Sequence, residues 1–268
     1  EPNPTFITCP FSNYVLAGFK KIGDISHNYT ALRAKHGVTV IANRAQSIDP
    51  ERRQVRLATG QTLAYDRLIL SPGIDIKWGA IAGYDEAASE SMPHAWRPGP
   101  QTLLLRRQLE AMADGGVVLM SSPANPFRCP PGPYERVSMI AHYLKAAKPR
   151  SKILILDSKE AFSKQGLFQD GWTANYPGMI EWVPLSKDGK VTQAIPREMT
   201  LVTEFGQRHK GAVVNVIPAQ QAGEIARKSG LAGTGDWCDV DVTNFESKVH
   251  KNIHVIGDSG SSGTAANA

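Results

Sequence analysis

The sequence predicts an α/β protein built on parallel sheets with β-meander insertions, and three observations carry that prediction. First, Val117–Met120, Glu135–Lys145 and Lys152–Leu156 read as strand, helix and strand, the order of a parallel βαβ unit. Second, Leu68–Leu70 and Ile253–Ile256 are short apolar strands, each running into a small-residue turn, Ser71-Pro72-Gly73 and Gly257-Asp258. Third, Gln54–Leu57 and Gln61–Tyr65 flank Ala58-Thr59-Gly60, which reads as a hairpin.

In chain order, Val38–Ala42 is a β-branched run expected to form a strand before that hairpin. Ile74–Pro100 is rich in Gly, Pro and Trp and reads as a loop. Gln101–Met112 carries apolar residues at helical spacing and is stopped by Asp114-Gly115-Gly116. Further short strands are expected at Val191–Ile195, Met199–Val202 and Ala212–Ile217. Residues 259–268 contain only Gly, Ser, Ala, Thr and Asn, the composition of a linker. These elements divide into residues 1–114, an inserted α/β domain over 115–250, a return to the first domain at 251–258, and a tail over 259–268.

The 268 residues suffice for one large or two modest domains, and 41% hydrophobic with 21% charged residues is an ordinary globular composition. The net charge of +5 is spread among acids without a basic block, which argues against nucleic acid as a partner. No apolar run reaches membrane-spanning length, and the N-terminus lacks the basic and apolar regions of a signal peptide. Three widely spaced cysteines, Cys9, Cys129 and Cys238, suit neither a disulfide scaffold nor a zinc site.

The candidate site residues follow from local chemistry. In a dinucleotide fold an acidic residue at the end of the second strand accepts hydrogen bonds from ribose hydroxyls, and Glu1 stands where such a residue would be. Pro72 and Gly73 end one strand, and Gly73 lets backbone approach a ligand. Gly257 does the same at the other strand, where Asp258 can accept hydrogen bonds from a ribityl or pyrophosphate group. Cys129 lies in a proline-fixed loop, where the preceding Arg128 and the following helix N-terminus favour the thiolate. Glu135 is placed to accept a proton or to serve as a helix N-terminal charge. Cys238 reads as a small buried hydrophobe.

Together, Glu1–Pro10, Leu70–Ile74, Cys129–Arg136 and Ile253–Asp258 resemble the flavoprotein subunit of flavocytochrome c sulfide dehydrogenase over residues 1–258. The resemblance implies a two-dinucleotide-binding-domain, glutathione-reductase-like flavoprotein fold, incomplete and truncated at both ends. It implies FAD attached through a thioether at Cys9, and a redox disulfide between Cys129 and a second cysteine near the parent's C-terminus. Hydrosulfide would open that disulfide, a thiolate would pass two electrons to the flavin, and the flavin would release them singly to haem c on a cytochrome subunit in a periplasmic heterodimer. The glycine-rich phosphate loop expected before Glu1 and a cysteine beyond Asp258 are not in the sequence, which leaves Cys238 as the remaining cysteine, without a role implied by the family.

Three rival readings stand beside this one. A sulfide:quinone reductase shares the fold and cysteine chemistry, and amphipathic membrane-binding helices would mark it. An NADH-dependent disulfide reductase would need a glycine-rich loop after Val117–Met120, where the sequence reads Ser121-Ser122-Pro123-Ala124-Asn125-Pro126. A catalytically incomplete scaffold would keep the fold and bind only a partner.

Overall fold

The computed structural model describes residues 1–261. The N-terminal region opens with β1 (Thr5–Ile7), α1 (Ser12–Ala17), β2 (Ser26–Asn28) and α2 (Thr30–His36), with β1 and β2 antiparallel. An antiparallel meander follows, β3 (Ala45–Asp49), β4 (Gln54–Leu57) and β5 (Thr62–Ala64), then β6 (Leu68–Leu70) and β7 (Ile74–Ile76). The expected strand at residues 38–42 does not form. Val38 is 44% exposed and no ladder partner lies beside it, whereas Ala45–Asp49 has β4 to pair with.

The central layer is the βαβ unit that the sequence predicts. After α3 (Pro100–Ala111) come β8 (Val117–Ser122), α4 (Gly132–Ala147), β9 (Lys152–Asp157), α5 (Gln165–Asn175) and β10 (Ile180–Val183). A second meander, β11 (Val191–Ile195), β12 (Thr200–Thr203) and β13 (Arg208–Lys210), precedes β14 (Val213–Val216). The sheet runs β10-β9-β8-β14 with every neighbour parallel. Both of its faces are covered, which explains the unbroken apolar reading of β8 and β9. On one face Val118, Met120, Ile153 and Ile155 meet Tyr134, Val137, Ile140, Ala141 and Leu144, which recur along α4 at helical spacing. On the other face Leu119, Leu156, Val214 and Val216 pack against Tyr84, Met92 and Leu201. Each completely buried side chain such as Leu144 contributes about 1.5–3 kcal/mol.

The chain returns to its first part sooner than residue 251. β15 (Gln220–Ala222) pairs with β7, and α6 (Glu224–Lys228) lies against β3. Ala222, Ala226, Leu231, Cys238 and Val240 share one core with Ile48 and with Ile253 and Val255 of β16 (Ile253–Val255). The reason is burial: residues 220–250 hold the apolar side chains that cover β6 and β16. Those two strands pair in parallel, Leu68 with Ile253, His254 with Ile69 and Val255 with Leu70, so the two small-residue turns emerge side by side.

Of the linker-like tail expected over residues 259–268, the first three residues are held in the fold. Ser259 and Gly260 are buried, Ser259 Oγ donates to the Gly73 carbonyl, and the Ser261 N–H donates to the Cys238 carbonyl at 2.8 Å. Residues 262–268 lie outside the described residues.

Candidate functional site

Five chain segments converge on one cavity of about 370 Å³. The turn after β1 brings Cys9, with the Ser12 N–H closing it onto the Cys9 carbonyl at 3.0 Å. The loop before α4 brings Cys129 in a left-handed conformation, φ 58°, and the Gly132 N–H holds the Cys129 carbonyl at 2.8 Å. The first turn of α4 adds Glu135 and Arg136. The paired ends of β6 and β16 add Pro72, Gly73 and Asp258, while Trp96 and Pro98 complete a largely apolar wall.

The ends of β6 and β16 are locked together. The Gly223 N–H donates to the Gly73 carbonyl at 3.0 Å and to Ser259 Oγ at 3.3 Å. A Cβ on Gly223 would come within 2.8 Å of Pro72 Cβ, so only glycine allows this approach. Gly73 itself has φ 69° and open space where a side chain would stand. Of the residues singled out from sequence, Cys9, Pro72, Gly73, Cys129, Glu135 and Asp258 therefore line a single cavity. Glu1 does not: its amine donates to the carbonyls of Ile41 and Asn43, and its carboxylate accepts from the Asn3 N–H at 2.8 Å. Gly257, with φ 71°, lies off the cavity wall and turns the chain into Asp258.

The electrostatics correct one expectation. Burial, and then the charge of Glu135, pushes the Cys129 thiol up to about 11. Arg128 does not oppose this, because its guanidinium is turned away. Its Nε donates to the Asp258 carbonyl at 2.5 Å, its Nη2 to the Gly260 carbonyl at 2.6 Å, and it stacks 3.7 Å from the Trp237 ring. The nearby helix start contributes only the smaller, opposing pull of the Gly132 N–H. Cys9 is exposed as a residue, yet its Sγ lies 3.8 Å from the Trp96 carbonyl and desolvation raises its thiol, with Arg136 pulling it down. Burial likewise raises the Asp258 carboxyl. Cys238 is fully buried in the other core, its thiol raised to about 11 by burial, and it does not line the cavity. The described residues bring together no group of acids, histidines and cysteines able to hold a metal.

Sequence reasoning missed Arg136 and Trp96 as site residues. Arg136 ends the quoted Cys129–Arg136 stretch and follows Glu135 directly, but nothing in the sequence says that its side chain turns inward.

A parallel sheet inserted between segments that pair β6 with β16, with paired small-residue turns side by side, defines the fold of the two-dinucleotide-domain flavoproteins. Residues 102–218 match the family model described as sulfide dehydrogenase (flavocytochrome c) flavoprotein chain, central. Among curated proteins it is similar to the mitochondrial sulfide:quinone oxidoreductase of Mus musculus, at 24% identity over 96% of this chain and 58% of that protein. It is also similar to the sulfide-quinone reductase of Aquifex aeolicus, at 29% identity over 32% of this chain and 20% of that protein. The chain thus spans less than two thirds of the length of the curated relatives it matches.

Among solved structures, the sulfide:quinone oxidoreductase of Aquifex aeolicus superposes with a TM-score of 0.75 at 19% identity, over 97% of this chain and 61% of that one. The covalent putidaredoxin reductase–putidaredoxin complex gives 0.70 at 17% identity, over 95% of this chain and 58% of that one. These likenesses show the fold.

Proposed function

We propose that the chain is the flavin-bearing part of a sulfide-oxidising oxidoreductase that passes electrons to a c-type cytochrome subunit carrying haem c, in the periplasm. The observation that carries this is the convergence of Cys9, Cys129, Glu135, Gly73 and Asp258 on one cavity at the paired ends of β6 and β16. The cavity fits the ring end of FAD. Its walls at Pro10, Pro72, Ile74, Trp96 and Pro98 suit a flat aromatic body, Gly73 leaves room where a Cβ would intrude, and Asp258 offers a polar edge. When bound, FAD would supply a two-electron acceptor able to give electrons on one at a time.

The chain's own residues have separable tasks. Cys9 is the tether, since it stands on the cavity wall. Cys129 is the sulfur that meets hydrosulfide, and its high thiol value keeps a proton on it until a base removes it. Glu135, exposed in the first turn of α4 and electrostatically coupled to Cys129, accepts that proton. Asp258 and the Gly73 turn hold the ligand's polar atoms and backbone-facing edge.

Quinone as the acceptor is the second reading, and the sulfide:quinone oxidoreductase relatives favour it. Cys9 and the match to the flavocytochrome family model favour the cytochrome. Among the described residues no helix is long and apolar enough to cross a membrane. A nicotinamide in the inserted domain is disfavoured by the chain's own side chains. Asp157, at the end of β9 where a ribose would be read, is buried and taken by Lys159 Nζ at 2.5 Å, Tyr134 OH at 2.5 Å and Trp182 Nε1 at 2.9 Å.

The test is the mass and visible spectrum after acid denaturation. Retained yellow colour with a mass increment matching FAD, lost in Cys9→Ala, is the expected result. A colourless chain of unmodified mass from flavin-replete cells would refute the tether.

A further inference from the structure

Arg136 is a buried cation with no carboxylate partner. It is 3% exposed, and no ion pair among the described residues includes it. Its hydrogen bonds all go to neutral oxygens. Nε donates to Asn13 Oδ1 at 3.1 Å, Nη1 to the His94 carbonyl at 2.9 Å and to Asn215 Oδ1 at 3.2 Å, and Nη2 to the Ala95 carbonyl at 2.6 Å. A guanidinium has five N–H donors, so one on Nη2 is left without an acceptor.

Such a charge is expensive to bury unless something negative answers it. The face of Trp96, 5.1 Å from the guanidinium carbon, supplies part of that answer. The rest can come only from the cavity that Arg136 lines, where the groups whose negative charge favours its own are the sulfurs of Cys9 and Cys129. The other groups around it do not neutralise it. His94 is held neutral, Arg97 and Arg128 are cations, Glu135 is exposed and acts on Cys129, and Asp258 is engaged electrostatically with Arg128.

We propose that Arg136 is a positioning residue for a sulfur anion: its unanswered positive charge selects anionic hydrosulfide over neutral hydrogen sulfide in the cavity, and steadies the Cys129 sulfur as an anion once its proton has been removed. This rests on the reading of the cavity as a sulfide-oxidising site and names what chooses the protonation state of the sulfur that enters it. The neutral oxygens of Asn13, His94, Ala95 and Asn215 fix the guanidinium without discharging it, so the charge stays available to the ligand.

The experiment is alkylation of the reduced chain, mapped by peptide mass at Cys129, with Cys238 as the buried internal control. Anionic iodoacetate is compared with neutral iodoacetamide across pH in wild type, Arg136→Lys and Arg136→Gln. The iodoacetate-to-iodoacetamide rate ratio is expected to fall about tenfold in Arg136→Gln, and the pH profile to move about one unit to higher pH, while Arg136→Lys keeps most of both. An unchanged ratio and profile in folded Arg136→Gln would overturn the proposal. If the glutamine variant does not fold, the wild-type chain still decides: thiocyanate should slow iodoacetamide at Cys129 while uncharged thiourea does not, and equal effects of the two would overturn the proposal. Neither readout needs flavin or turnover, so a failure here is separable from a failure of the sulfide-oxidation reading.

Discussion

Gly132→Ala sets two effects of opposite sign against each other at the candidate site. Gly132 opens α4 directly behind Cys129, and its φ lies outside the left-handed region, so alanine is conformationally allowed there. Replacing a helical glycine gains about 0.5–1 kcal/mol at an interior position, and less at the first residue of the helix. Against this, the new methyl would stand 2.8 Å from Trp96 Cη2 and 3.0 Å from Cys129 Sγ, closer than such atoms tolerate. Overpacking of that kind costs about 1–3 kcal/mol where neighbours cannot move. Trp96 cannot move readily: it is 8% exposed, and its ring lies 6.4 Å from that of Phe127 and 5.1 Å from the Arg136 guanidinium carbon. Cys129 is pinned by the Gly132 N–H on its carbonyl. Overpacking wins, and the expected net loss is about 1–2 kcal/mol, read as a lower urea midpoint at unchanged m-value. A midpoint equal to or above wild type would show that the Trp96–Cys129 wall is looser than described, and would remove the packing basis for the site.

Lys159→Met leaves Asp157 buried, at 0% exposure, without its cation, and is expected to destabilise by about 3–5 kcal/mol in denaturant titration. Adding Asp157→Asn should recover part of that loss, and a double-mutant cycle showing no coupling would contradict the buried pair. His94 is held down to about 3 by burial first and then by the charges of Arg136 and Arg97, and its Nδ1 accepts from the Trp96 N–H at 2.9 Å, which requires that nitrogen to be unprotonated. Because the unfolded chain binds a proton below about 6.5 that native His94 refuses, stability is expected to fall as pH drops from about 6.5 towards 3, with the full contribution present above that window. Its imidazole resonances should not titrate between pH 8 and 5, and a midpoint near 6.5 would refute the buried neutral ring.

The elements that the sequence determined are those whose pattern is local. β8, α4 and β9 announce themselves because a sheet covered on both faces needs continuous apolar strands and a helix with one apolar stripe, and the β4–β5 hairpin shows through its turn residues. The short helices α1 and α2 and the small strands β7 and β15 carry no such period, and the run at residues 38–42 shows that β-branched residues alone make no strand without a partner. At the site, the two cysteines, the Gly73 turn and Asp258 were legible as residue types suited to a redox ligand, and the pairing of β6 with β16 sets their turns side by side. The direction of the charges was not legible. Arg128, next to Cys129 in sequence, turns to the carbonyls of Asp258 and Gly260, while Arg136, seven residues on, turns inward to the cavity that Cys129 lines. Adjacency along the chain is a property of sequence, but the field at a sulfur depends on where distant backbone carbonyls and buried amides take up each guanidinium, and only the tertiary structure decides that.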